Sequence, residues 1–357
     1  MILLLILLTF SVWVLNLPVF GNSPTNGRLT KIKNLPNYLE GELKNESPTP
    51  TKPADVSYGE MILKLIQGNK NGSPTSSLPF VTPNLNRSEE LKITWFGHSS
   101  YFIQTQGKNI LVDPVFSQKT SPFQFLGTKR FAGTDFISPE DFPELDLIII
   151  THDHYDHLDY LSILKLKTKT SHFLTSLGVG EHLERWGIPT VQITELAWGE
   201  SASPLLDFKF TATAARHFSG RKFKRNQTLW SSFVMQTKSN NVFIGGDSGY
   251  DNHFKEIGRK YGPFDIAILE CGQYNSMWPL IHMLPEEAPQ AALDLNSSIL
   301  LPVHWGKFKL ALHDWDEPIK RVAAESQRLN VKLVTPMLGE SFFISSTIPS
   351  NAWWEKY

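Results

Sequence analysis

Leu145-Asp146-Leu147-Ile148-Ile149-Ile150-Thr151-His152-Asp153-His154-Tyr155-Asp156-His157 is the stretch on which the fold turns. Leu145 to Thr151 is a near-continuous aliphatic and β-branched run, the pattern of a strand buried on both faces. It breaks at once into polar residues. His152, His154, Asp156 and His157 place four lone-pair donors within six positions, directly at a strand end. Such a gathering is expected where something attracts lone pairs; coincidental histidines in a polar loop explain it poorly. The spacing suits two adjacent ions. His152 and His154 project the same way along extended backbone, whereas Asp156 and His157 swing round as a helix begins.

Outward from this motif the chain alternates strands and helices. Strand patterns cover 92–96, 101–105, 109–112, 208–212, 232–237, 242–245, 265–269 and 299–303, the second and third joined by a Gln106-Gly107-Lys108 turn. Helical patterns cover 158–166, 178–186, 252–260, 285–295 and 317–329. Pro285 followed by Glu286 and Glu287 reads as a helix start, since proline fits the first position and acids favour the N-terminal dipole. Interleaving of this kind predicts an α/β fold or a layered αββα sandwich.

Composition narrows the chemistry. In 357 residues, 34 Lys plus Arg face 35 Asp plus Glu, a formal net charge of -1, so nothing steers the chain toward nucleic acid. Hydrophobic residues make up 41%, enough for a large core. A single cysteine, Cys271, excludes an intrachain disulfide and any thiolate metal cluster. A transition-metal site here must use imidazole and carboxylate, and the 11 histidines supply the former.

The start of the chain has a different character. Residues 1–21 are almost continuously apolar and read as a signal peptide or N-terminal membrane anchor, with Val19-Phe20-Gly21 suited to cleavage before Asn22. A buried N-terminal helix is the alternative. Residues 22–57 are rich in Asn, Pro, Ser, Thr and Lys and read as a flexible linker. Residues 58–350 then read as one large domain, opened by a short helix near Tyr58–Ile66. An exported bacterial protein, periplasmic or membrane-anchored, is expected.

The motif H-x-H-x-D-H after an apolar strand resembles the signature of the metallo-β-lactamase superfamily. That resemblance implies a four-layer αββα sandwich, with two more histidines and an aspartate at later strand ends. His217, Asp247 and His304 stand in that order and context. By resemblance, His152, His154 and His217 would bind one Zn2+, and Asp156, His157 and His304 a second, with Asp247 bridging both. The glycines before Asp247 would allow close approach to the metal. Two such ions acidify a shared water, so hydrolysis is the implied reaction. His at position 154 differs from the Glu of the oxygen-reducing branch.

Further segments are similar to the N-acyl-phosphatidylethanolamine-hydrolysing phospholipase D family. They include Phe96 to Ser100, Leu111 to Ser117, Gly127 to Phe131, His217 to Arg221, Thr228 to Ser232, His282 to Ala288 and His304 to Phe308. The implied reaction cleaves N-acyl-phosphatidylethanolamine to N-acylethanolamine and phosphatidic acid. Asp156, Asp247 and His282 then carry catalysis, His282 by bonding a phosphoryl oxygen or protonating the leaving group. His98 and Asp113 are expected to support ligands. A lactone or other small phosphodiester substrate, and an idle metal-binding scaffold, stand as alternatives. A phospholipid or other phosphodiester, a membrane surface and a second copy of the chain are the partners to test.

Other groups carry ordinary expectations. Asp153 and Tyr155 are not ligands by this pattern. His172, His182, His253 and His313 have no carboxylate nearby in sequence and read as packing or surface residues. Cys271 reads as a small buried hydrophobe. Met277 to Ile281 suits either an acyl-chain groove or the core, and Trp353-Trp354 either a membrane interface or docking on the domain.

Overall fold

The computed structural model describes residues 2–357; Met1, part of the expected signal or anchor, lies outside the described residues. The chain begins with α1 (Ile2–Leu15), α2 (Asn26–Lys33), a two-stranded ribbon β1 (Tyr38–Leu39) and β2 (Glu42–Leu43), and α3 (Tyr58–Gln67). A first sheet follows in β3 (Lys92–Trp95), β4 (Tyr101–Thr105), β5 (Lys108–Val112) and β6 (Leu147–Ile150), then α4 (Tyr160–Leu166), β7 (Phe173–Ser176), α5 (Gly180–Arg185) and β8 (Ile193–Leu196). A second sheet comprises β9 (Ser201–Ala202), β10 (Lys209–Thr213), β11 (Ser232–Gln236), β12 (Asn241–Ile244), β13 (Ile266–Glu270) and β14 (Leu300–Val303). Its helices are α6 (His253–Tyr261), α7 (Glu287–Asp294) and α8 (Glu317–Leu329), and β15 (Ser341–Phe343) returns to the first sheet.

Alternation along β6 shows how the layers form. Leu147 and Ile149 join the cluster between the sheets, while Ile148 and Ile150 join the one beneath α4 and α5. Tyr101, Ile103, Ile110 and Val112 likewise face inward, and Phe102 and Leu111 face the helices. From the other sheet Phe210, Phe233, Ile244 and Ile268 complete the central cluster. Phe243 on the opposite face packs on Phe254 of α6, and Ala288, Ala291, Ile319 and Val322 from α7 and α8 extend the same apolar core. Each fully buried aliphatic or aromatic side chain contributes roughly 1.5–3 kcal/mol. The result is the α/β four-layer αββα sandwich.

Both sheets switch from antiparallel to parallel. The first has the order β15-β3-β4-β5-β6-β7-β8, parallel from β5 onward; the second has β14-β13-β12-β11-β10-β9, parallel from β12 to β14. The exits of β3, β5, β6, β10, β12, β13 and β14 consequently share one edge. Every candidate site residue lies just beyond it. The loops there are tightly bent: His98, Asp113 and His304 take left-handed φ values of 52°, 41° and 69°. Outside glycine such values are uncommon and gather at functional sites.

Residues 22–57 are a correction. They pack on the domain, and the reason is specific anchoring. Arg28 meets Glu181, Glu184 and Glu195 at 2.6, 2.8 and 2.6 Å, and Ile32 and Leu43 are fully buried. Asn45 donates to the His217 carbonyl at 2.7 Å and accepts from its N–H at 3.0 Å.

The end of the 1–21 stretch is integrated as well. Phe20 is buried, Pro18 O accepts from Trp186 Nε1 and Val19 O from Arg221. Gly21 has φ 61°, and a Cβ there would meet His182 Nδ1 at 2.0 Å. Ahead of it, α1 exposes Leu5, Ile6, Phe10 and Trp13. Among the described residues, no helix is long and apolar enough to cross a membrane.

The tail also joins the fold: Trp353 and Trp354 are buried against Trp305, with ring centroids 5.4 and 5.8 Å away. The expected start of α7 at Pro285 moves to Glu287, whose carboxylate accepts from Leu284 N at 2.7 Å.

A candidate metal centre at the shared strand edge

The exit of β6 carries Thr151, His152, Asp153 and His154, and Arg221 fixes the shape of the loop. Its Nη1 donates to Asp153 O at 2.8 Å and Leu158 O at 2.7 Å, closing the loop at both ends. His152 Nε2 lies 3.0 Å from His154 Nδ1, which lies 3.2 Å from His217 Nε2 at the exit of β10. His217 Nδ1 must donate to the Ile281 carbonyl, 2.7 Å away, so the neutral ring has its lone pair on Nε2. Burial holds His152, His154 and His217 below the usual histidine pKa. Three neutral rings therefore aim nitrogens at one point.

A second group adjoins the first. Asp156, His157 and His304 place ligand atoms within 4.8 Å of one another and of His98. Asp247, at the exit of β12, lies between the groups, its Oδ2 3.1 Å from His157 Nε2, 3.8 Å from His152 and 3.7 Å from His217. His304 Nδ1 is 3.2 Å from Asp247 Oδ1. All seven expected ligands are thus brought together.

The donor set fits a cation. His157 Nε2 and Asp247 Oδ1 are buried without a hydrogen bond among the described residues, a costly arrangement unless positive charge sits between them. Burial alone would raise the Asp156 carboxyl, yet His157 and His98 hold it well below its ordinary range. Burial opposes charge on His157, but Asp247, Asp156 and Asp113 raise its pKa well above normal. An acidic pocket lined with imidazole and carrying no thiolate suits a borderline divalent metal.

Supporting contacts surround this set. Asp113 Oδ2 lies 2.7 Å from His157 Nδ1, and Ser99 Oγ 2.9 Å from His304 Nδ1. His98 Nε2 is 2.9 Å from Asp156 Oδ2, and its own carbonyl accepts from His304 N–H. His282 approaches within ring-centroid distances of 5.0 Å from His217 and 5.2 Å from His304. Behind it stands Glu270, fully buried at the end of β13, with Oε2 2.9 Å from His282 Nδ1 and Oε1 accepting from Ser248 N at 2.7 Å. Asp247, Glu270, His282 and His304 form a further set close enough to share an ion.

Several expectations change. Gly245 admits the neighbouring strand β13, since a Cβ there would meet Ile268 O at 2.6 Å, and a Cβ on Gly246 would meet Ser231 O and Thr151 Cβ at 3.0 Å. His182 does have a carboxylate partner, remote in sequence. It accepts from Asn22 N–H and faces Asp153 Oδ2 at 3.1 Å, while Gly220 N and Thr228 Oγ1 also donate to Asp153. Asp153 thus faces away from the donor cluster, and Tyr155 hydrogen-bonds Arg221 O. His172 and His253 bond hydroxyls, and Cys271 is buried.

Above the donors lies a cavity of about 330 Å³. Its floor includes His154, Asp156, His217, Asp247, His282 and His304; its walls include Tyr58, Met61, Ile62 and Leu65 from α3, with Trp278 and Ile281. The Met277–Ile281 loop therefore serves both cavity wall and core.

The Beta-lactamase superfamily domain matches residues 108–305. An uncharacterized protein of Mycobacterium tuberculosis is 37% identical over 326 residues, spanning 89% of this chain and 87% of its own. The N-acyl-phosphatidylethanolamine-hydrolyzing phospholipase D 1 of Caenorhabditis elegans is 28% identical over 264 residues, 69% of this chain and 74% of that protein. A metallo hydrolase from the archaeon Ignicoccus hospitalis aligns with a TM-score of 0.54 at 22% identity, over 71% of this chain and 97% of that one.

Proposed function

The chain belongs to the metallo-β-lactamase superfamily and is a metallo-hydrolase, and from that premise we propose that it is a zinc-dependent phosphodiesterase of the phospholipase D type. Its substrate is N-acyl-phosphatidylethanolamine; its products are N-acylethanolamine and phosphatidic acid. The carrying observation is the apolar wall from α3, Trp278 and Ile281 directly above a His and Asp donor floor. Such a wall above such a floor supports a substrate that joins a lipid tail to a phosphoryl group. Similarity to the Caenorhabditis elegans phospholipase supports the same substrate.

His152, His154 and His217 would hold one zinc, Asp156, His157 and His304 the other, and Asp247 both. When bound, such a pair supplies positive charge that polarises phosphoryl oxygens and acidifies water. His282 acts at the reacting group: with Nδ1 committed to Glu270, it presents Nε2 to a phosphoryl oxygen or the leaving oxygen. The net reaction breaks the bond between phosphorus and the ethanolamine oxygen. Water's oxygen ends on phosphate and a proton on the alcohol. The apolar walls exclude bulk water and orient the lipid.

The test is incubation of purified protein with N-acyl-phosphatidylethanolamine and mass spectrometry of the products, alongside zinc analysis. N-acylethanolamine in step with phosphatidic acid is expected. Opening of a lactone with no N-acylethanolamine would sink this reading, as would zinc-free protein that hydrolyses nothing.

A further inference from the structure

His282 borders two cavities. One lies above the donor floor; the other, of about 400 Å³, is lined by Tyr274, Asn275, Ser276, Pro279, Leu284, Leu312 and His313 and touches none of the seven candidate ligands. The imidazole is the wall they share. We propose that this second cavity is the subsite for the N-acyl chain of the leaving group, while the diacylglycerol side of the substrate occupies the first. The assignment rests on the phosphodiesterase reading above.

Displacement at phosphorus sets the incoming and departing oxygens roughly in line. The donor floor, whose residues would hold the ions, faces the incoming side. The departing ethanolamine oxygen needs a proton, and His282 Nε2 has no hydrogen-bond partner among the described residues. Water adds to phosphorus as the bond to the ethanolamine oxygen breaks; that oxygen takes a proton from His282, one proton of the water stays on the phosphate, and the other restores the imidazole. The leaving group must then extend past the imidazole, into the second cavity.

The walls there suit an acyl chain. Tyr274 and His313 stack with centroids 4.7 Å apart, and their polar atoms are engaged elsewhere. Tyr274 OH donates to Glu317 at 2.7 Å, His313 Nε2 accepts from Gln273 N–H at 2.8 Å, and His313 Nδ1 donates to Asp314 O at 2.8 Å. With Tyr274 stacked on His313 and covered by the Arg321 guanidinium at 5.1 Å, ring edges and the aliphatic surfaces of Pro279, Leu284 and Leu312 remain. Only Asn275 and Ser276, toward the mouth, offer hydrogen bonds, which suits one amide group.

The test narrows this cavity from its exposed rim, with Leu284→Trp and, separately, Ser276→Trp in the full-length zinc-loaded protein. Turnover is compared on N-acyl-phosphatidylethanolamines with long and short N-acyl chains and a fixed diacylglycerol part. The long-to-short ratio of kcat/KM should fall at least tenfold in both variants. An unchanged ratio in folded variants overturns the subsite while leaving the phosphodiesterase reading intact. No N-acylethanolamine from the unaltered protein overturns both.

Discussion

Asp113 Oδ2 lies 2.7 Å from His157 Nδ1, and the same carboxylate accepts from Thr151 N–H at 2.8 Å and Thr151 Oγ1 at 2.6 Å. One buried acid at the end of β5 thus ties the exit of β6 to a candidate ligand and fixes which nitrogen of His157 faces the centre. Burial raises the Asp113 carboxyl, and its contacts with His157 and Thr151 counter that rise. Such a partner makes the imidazole a better donor, and its loss typically costs 10–100-fold in metal affinity. Asp113→Asn keeps the volume and removes the charge. Zinc dissociation followed by competition with a chromogenic chelator should show weakening of about that size. Unchanged affinity would mean that Asp113 only braces the loop.

His282 and Asp247 should separate cleanly under mutation. Asp247→Asn removes the carboxylate that reaches both ligand groups and should abolish turnover with loss of metal. His282→Ala should lower kcat by about 10²- to 10⁴-fold, the usual worth of positioned acid–base catalysis, with metal retained. Zinc content by mass spectrometry is the deciding measurement. Loss of an ion from the His282 variant would make it a ligand, within the set it forms with Asp247, Glu270 and His304.

Glu270 acts through His282. Burial opposes charge on both partners and pushes the Glu270 carboxyl up to about 8, yet their attraction across 2.9 Å outweighs burial at the imidazole and lifts it to about 9. Glu270→Gln should therefore lower kcat and move the alkaline limb of the rate profile to lower pH, because the ring loses the charge that keeps it protonated. A fall in kcat with an unmoved profile would leave Glu270 a packing role only.

The candidate ligands are legible because each ends or follows an apolar run: Leu145–Thr151 before His152, Val242–Ile244 before Asp247, Leu300–Val303 before His304. A buried strand cannot shed a polar cluster at its tip without reason. Glu270 gives no such signal, since one acid closing Ile266-Ala267-Ile268-Leu269 resembles an ordinary exit to solvent. Its partner His282 arrives only by folding. β7 and the edge strands β8, β9 and β15 escape the pattern because short runs such as Ile193-Thr194-Glu195-Leu196 carry weak alternation. Residues 22–57 mislead for another reason. Composition counts apolar residues, whereas this segment is held by a few well-placed groups: Ile32 and Leu43 in an apolar cluster, the Arg28 ion pairs, and Asn45 on the His217 backbone.

Arg28 tests that account. Its guanidinium serves three carboxylates, and the Arg28, Glu181 and Glu195 side chains are only 12–13% exposed. Arg28→Ala leaves those acids without a cation. Breaking a buried pair on one side costs about 3–5 kcal/mol, and partial exposure here places the effect near the lower end, about 3 kcal/mol. Urea denaturation should show the loss, and limited proteolysis should show faster cutting within 22–57. Equal midpoints and equal cutting would return this segment to the status of a loose linker.

Lys307 supplies a pH-dependent stability. It is completely buried, donating to Phe96 O at 3.2 Å and Val115 O at 2.7 Å, and burial brings its pKa down to about 7 from an ordinary 10.5. Between those values the unfolded chain binds a proton that the folded chain lacks. Stability from this group therefore rises with pH across that window, and the cost of burying it is largest below pH about 7. Lys307→Met keeps the aliphatic stem and removes the titration. Denaturation at pH 7 and pH 9 should show the unaltered protein gaining stability relative to the variant. Parallel behaviour at the two pH values would show that Lys307 stays charged in its cage of carbonyls.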